Sequence, residues 1–160
     1  MRDPKALAAA LDQAALDLGP VEILDYSPIP QPEFLKPVLD TTADDLIAAV
    51  EFSVIGPVTA VGRVLGSMRE RRRGSILFVN GGSAVRPTAR VAGTSVAFAG
   101  ESAYARMLHD TLAPEGIVVR QLIVPGAIRP DHPTHSPDAL AERLWRLHVE
   151  PGDFRVEVAE

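Results

Sequence analysis

A single α/β domain built on a parallel sheet is the architecture this sequence predicts, and three observations predict it. Helix-like and strand-like segments alternate, in the order helix, strand, helix, strand, helix, strand, helix, strand. At these spacings alternation implies parallel strands joined by right-handed crossovers. The run at 117–124 has the Val and Ile content of a strand covered on both faces. Residues 75–80 form an apolar run that stops at Gly81-Gly82, continues through a loop with Pro87 and two arginines, and enters a helix rich in small residues at 92–112. A strand, a glycine turn and a helix in that order mark the region of an α/β sheet where ligands sit.

Taken in order, Asp3 followed by Pro4 is a helix start, with a capping carboxylate and a proline whose missing N–H costs nothing. Leu7, Leu11, Ala14 and Leu18 form one apolar stripe, and Gly19 stops the helix. Residues 21–26 read as a strand, and Ser27 to Pro37, with four prolines, as an extended loop. Thr41, Thr42, Asp44 and Asp45 make a capping signal for a helix over 43–69. Its apolar period runs through Leu46, Ile47, Val50, Val54, Val58, Val61, Leu65 and Met68, with a kink near Ser53 to Gly56 because Pro57 lies inside it. The basic run Arg69 to Arg73 suits a helix C-terminus, with Gly74 as the stop. Ser136, Pro137 and Asp138 open a last helix carrying Leu140, Leu144 and Leu147, and 154–158 is a final strand.

Composition sets the outer limits. One domain fits 160 residues, and 46% hydrophobic with 23% charged residues is the balance of an ordinary globular chain. A net charge of -5 argues against a nucleic-acid surface. The absence of cysteine removes thiol catalysis and thiolate metal sites. No apolar run reads as membrane-spanning and Met1 to Lys5 has no signal-peptide core, so a cytoplasmic protein without membrane contact is the expectation.

The segments Gly-Pro-Val-Glu-Ile-Leu (19–24), Gly-Ser-Ile-Leu-Phe-Val (74–79), Leu-Ala-Pro-Glu-Gly-Ile-Val-Val (112–119) and Val-Pro-Gly126, with the kinked helix between the first two, resemble the short-chain dehydrogenase/reductase family in order and spacing. The resemblance implies a truncated Rossmann-like parallel sheet of about four strands (21–26, 75–80, 117–124 and 154–158) with helices on both faces. The likeness spans nearly all of residues 1–160 as one domain. It covers the later part of the family fold, and the Thr-Gly-x-x-x-Gly-x-Gly loop that holds the dinucleotide in the family has no counterpart in it. Family members use a serine, a tyrosine thirteen residues on and a lysine four beyond that. Carried over, those positions are Gly81, Thr94 and Phe98. The family's helix asparagine falls on Ser53, and its Asn-Asn-Ala-Gly strand end falls on Tyr26 to Ile29. A threonine hydroxyl cannot exchange a proton near neutrality as a phenol with a neighbouring ammonium does, and Phe98 brings no charge. Carbonyl reduction by the family mechanism is therefore not expected.

Other signals are weaker. Gly62-x-x-x-Gly66 lies within a helical period and reads as close helix packing, and Gly81-Gly82-Ser83 lacks the third glycine and immediate helix of a pyrophosphate site. Asp131, His132 and His135 are the one acid–base cluster, read first as an exposed polar loop, then as general-base chemistry, and last as a metal site. His109 and His148 read as surface or packing residues. The candidate pocket residues are Tyr26, Ser83, Thr94, Asp131 and His132, with Pro125 and Gly126 matching the family loop; no metal is expected. Ala92, Gly93, Ala97, Gly100 and Ala103 suit close helix approach. In the family, helices matching 43–69 and 92–112 form the dimer interface, so a homodimer or heterodimer is expected. Strand 21–26 becomes a sheet edge that Glu22 and Asp25 blunt, or that the proline-rich loop, a second copy or another chain covers.

Three functional readings follow. The first is a catalytically degenerate binding or partner subunit with no cofactor of its own. The second is a shortened or atypical oxidoreductase, using NAD or NADP only if an N-terminal half is supplied. The third is a cofactor-free isomerase or cyclase that reuses the pocket for a small molecule.

Overall fold

The computed structural model describes residues 2–159; Met1, part of the N-terminal segment read above, lies outside them. The elements are α1 (Pro4–Leu18), β1 (Ile23–Tyr26), α2 (Ala43–Val50), α3 (Gly56–Arg71), β2 (Gly74–Gly81), α4 (Ala92–Leu112), β3 (Ile117–Val124), α5 (Pro137–Val149) and β4 (Arg155–Glu157). The four strands lie side by side in sequence order, all parallel. β2 and β3 pair over their full length, from Gly74 opposite Ile117 to Gly81 opposite Val124. The α/β class, the parallel sheet and helices on both faces agree with the sequence reading, while β1 and β4 are shorter than expected.

Two cores explain the layers. On one face Ile76 and Phe78 of β2 and Ile117 and Val119 of β3 pack with Ala60, Val61, Val64 and Met68 of α3, and Leu7 and Leu11 of α1 close over them. On the other, Leu77, Leu122 and Val124 meet Leu140 and Leu147 of α5. Alternate residues of each strand serve opposite faces, so β2 and β3 are buried throughout, each large aliphatic side chain contributing about 1.5–3 kcal/mol.

The capping signals act as read. The Asp3 carboxylate accepts from the Lys5 and Ala6 backbone N–H groups, and Thr42 and Asp45 form a reciprocal capping box. Lys36 adds an ion pair at 2.7 Å, holding the Asp45 carboxyl down at about 2. The kink is a π-helical turn over Glu51–Ile55, inside one continuous helix 43–71. The Tyr26 hydroxyl donates to the Phe52 carbonyl at 2.5 Å, supplying a partner to a carbonyl in that turn.

Several expectations change here. Helix 43–71 is long and apolar enough, by length and composition alone, to cross a membrane, because α2, the π turn and α3 join end to end. Its inner face packs on the sheet and on α4. Ile47 and Val58 do not join the core, and both face outward. Within the chain, Gly62 and Gly66 make no close helix contact, since nothing lies within 4 Å of a Cβ at either. α3 ends at Arg72, in the left-handed region at φ 50°, and Gly74 is instead the first residue of β2. The basic run is tied down: Arg69 pairs with Glu115, and Arg71 and Arg73 pair with Glu22. His109 bonds the Val119 carbonyl at 2.8 Å and His148 bonds Ser75 at 2.7 Å, both packing roles.

The small residues of α4 divide between two faces. Ala92, Gly93 and Ala97 are buried, whereas Gly100 and Ala103 are exposed. A Cβ at Gly93 would lie 2.8 Å from the Phe34 carbonyl oxygen, so the backbone of the 32–35 turn approaches the helix directly. Gly93→Ala is therefore expected to destabilise by about 1–3 kcal/mol, overriding the usual helix gain, as read by urea unfolding. A neutral or stabilising result would show that this turn moves freely.

Candidate functional site

The C-terminal ends of β2 and β3 open into a cleft of about 430 Å³. β2 ends at Gly81, the chain makes a short 3-10 turn at Gly82–Ala84, and α4 begins only at Ala92. From the β2 side come Gly81 and Ser83; from α4, Thr94 and Phe98; and from the end of β3, Pro125 and Gly126. Gly126 turns the chain at φ 77°, a conformation that favours glycine. The carry-over positions Gly81, Thr94 and Phe98 thus meet in one place, as the spacing requires.

None of these three positions brings an acidic or basic side chain. Thr94 is buried and its hydroxyl donates to the Val91 carbonyl at 3.2 Å, inside its own helix turn. Phe98 is buried against Ala84 and Ile123. Its ring edge would stand 3.8 Å from a Cβ at Gly81, so an apolar ring fills the space between the two positions. Ser83 is half-buried in the turn. Tyr26 does not belong to the cleft: it is buried in the core beneath, bonded to Phe52, and burial together with the Glu101 charge raises its pKa out of reach of proton transfer.

Asp131 is exposed and does not line either cleft, so the Asp131–His132 pairing read from the sequence is not formed. His132 and His135 line a second, smaller cleft of about 160 Å³ with Arg129. The two clefts adjoin, with Pro125 and Gly126 in the walls of both. The loop is not an open polar one throughout, because His135 is only 3% exposed. His132 Nδ1 accepts from the backbone N–H groups of Thr134 and His135 at 3.3 and 3.1 Å, which folds the loop into a tight turn. The two rings meet edge to face at 4.8 Å. Among the described residues no group of three His, Cys, Asp or Glu side chains is placed to hold a metal.

Behind the cleft lies a polar layer that the sequence did not announce. Gln121 donates to Asn80 Oδ1 at 2.6 Å and accepts from Ser102 and Arg155. Beside it Glu101 is fully buried, and neither carboxylate oxygen has a hydrogen-bond partner. Burial pushes its carboxyl up to about 8, with the nearby Asn80 amide offsetting part of the shift. It lies between Gly100 and Ser102 in the small-residue first half of α4.

Comparison with known proteins follows this geometry. The short chain dehydrogenase family model matches residues 1–140. A short-chain dehydrogenase from Rhodopseudomonas palustris superposes at a TM-score of 0.83 with 23% identity, over 99% of this chain and 71% of that one. One from Streptomyces avermitilis gives 0.81 and 21%, over 99% and 67%. A halohydrin dehalogenase bound to ethyl (2S)-oxiran-2-ylacetate gives 0.68 and 25%, over 87% and 57%. No curated protein matches the sequence. With most of its length matched by the family model and its fold shared with solved members, this chain belongs to the short-chain dehydrogenase family.

Proposed function

We propose that this chain is a family member without carbonyl reduction by the serine–tyrosine–lysine mechanism, serving as a binding or partner subunit. The observation that carries it is the Thr94–Phe98 pair: a hydroxyl spent on its own helix, and a buried ring where a lysine would hold the ribose and acidify the phenol.

A structural relative, a metagenomic short-chain oxidoreductase, is in complex with NADP. The described residues of this chain do not fit that group. Gly81-Gly82 leads into a 3-10 turn rather than a helix N-terminus.

The partner surface in this reading is the outer face of α3 and α4. Ile55, Val58, Gly62 and Gly66 follow one another at helical spacing on the first helix, and Val96, Gly100, Ala103 and Met107 on the second, all exposed. Apolar and small residues together on neighbouring helices suit a four-helix contact with a second copy or a related chain. The unpaired edge of β1 is where a heterologous partner would add; Glu22 there is already held by Arg71 and Arg73. A cytoplasmic location belongs to the same reading.

A second reading, a small-molecule enzyme without nicotinamide, is supported by the groove with its two histidines and by the likeness to the dehalogenase. One experiment tests the absence of carbonyl reduction that both readings share. The purified chain is mixed with NADH or NADPH and a panel of aldehydes and ketones, and nicotinamide absorbance is followed. No turnover above the uncatalysed rate is expected. Hydride transfer that Thr94→Val abolishes would defeat the proposal.

A further inference from the structure

We infer that the groove at the ends of β2 and β3 is a binding site for a small anion, a carboxylate or a phosphate; the inference rests on the non-redox reading above and names the ligand class of that site. The first observation is its charge. The ionisable side chains lining the two adjoining clefts are Arg86, Arg90, Arg129, His132 and His135, and no aspartate or glutamate lines either. That is the reverse of the chain as a whole, which has 21 acidic residues against 16 basic ones. A cleft of one sign with low-dielectric walls concentrates counter-charged ligands.

The cations are also placed for use. Arg86 is held by Glu157 from β4, which fixes it at the groove wall. Arg90 lines the larger cleft and Arg129 the smaller, both are exposed, and neither forms an ion pair among the described residues. Such guanidiniums can close on a carboxylate or phosphate with paired hydrogen bonds.

The second, independent observation is His135. It is 3% exposed, lines the smaller cleft, and its Nε2 has no hydrogen-bond partner. An orphaned polar atom at this depth carries a desolvation cost that a ligand would remove. The opposite nitrogen is already served by the Thr134 hydroxyl at 2.9 Å, which can act as donor or acceptor. Nε2 carries a hydrogen for an anion when that hydroxyl donates to Nδ1 rather than to the Ala159 carbonyl, 3.2 Å from it. Phe98, Val124 and Leu35 give the larger cleft an apolar floor, so the preferred ligand has an anionic end and a short carbon body.

The test is calorimetric titration at low ionic strength with inorganic phosphate and with succinate, against chloride at matched ionic strength. Saturable binding of at least one anion above chloride is expected, weakened at least tenfold by Arg90→Gln and by Arg129→Gln. His135→Gln should weaken it likewise; because His135 is buried, the two exposed arginine variants carry the decision if that variant does not fold. Preference for phosphate or for succinate identifies the source of the anionic group. No binding above chloride, or wild-type affinity in both arginine variants, overturns the site. NADPH binding lost in the same variants and accompanied by carbonyl turnover would keep the anion site and overturn the non-redox reading.

Discussion

Glu101→Gln is expected to stabilise the protein by about 3 kcal/mol at pH 7 and to flatten its pH profile. The carboxyl is fully buried, both oxygens lack partners, and its pKa stands at about 8 against an ordinary 4.5. A carboxyl raised on folding favours the native state when protonated. Its contribution is fully present below about pH 4.5 and is lost progressively as pH rises to about 8, a total of roughly 5 kcal/mol. That is a large share of the 5–15 kcal/mol typical of a domain. Glutamine removes the titration while keeping the shape, and the Asn80 amide, also without a partner at Nδ2, is available to its carbonyl. Urea unfolding of both proteins at pH 5, 7 and 8.5 (values spanning the titration) checks this. Parallel stability profiles would mean that Glu101 stays ionised, with solvent or a counter-charge reaching it.

Gly62→Glu with Gly66→Glu is expected to convert a dimer to a monomer, raising its dissociation constant at least a hundredfold, about 3 kcal/mol. Sedimentation measures it. Neither position touches its own chain, so the monomer fold tolerates both side chains. Across a two-fold contact, however, four carboxylates would be buried against Ile55, Val58 and Met107, the last of these 61% exposed in the single chain. The milder Gly62→Ala gives an opposing sign. In a monomer it stabilises by about 0.5–1 kcal/mol through helix propensity, whereas at a close helix crossing it weakens association. A wild-type chain that sediments as a monomer at all concentrations would sink the self-association reading and leave the heterologous partner.

Much of the fold was legible because its signals are local. A cap such as Asp3-Pro4 or Thr42 with Asp45 acts within one turn, and the β2 and β3 runs are apolar throughout since both faces are covered. The site was legible to the extent that a fixed spacing along β2 and α4 carries Gly81, Thr94 and Phe98 to one cleft. Tyr26 was misplaced because strand alternation decides which face a residue serves, and β1 turns it toward the π turn. Asp131 is exposed, as an exposed polar loop requires, whereas His135 is buried because the direction of a loop side chain depends on its turn, here set by the His132 ring accepting two backbone N–H groups.

The sequence by itself determined the class and the order of elements, because residue identity and short-range periodicity suffice for these. Only the tertiary structure decided which charges face the groove, that Glu101 is buried without a partner, and that Gly62 and Gly66 look outward. These depend on how elements distant in the chain approach one another. That approach is fixed by packing against the sheet, and no local pattern encodes it.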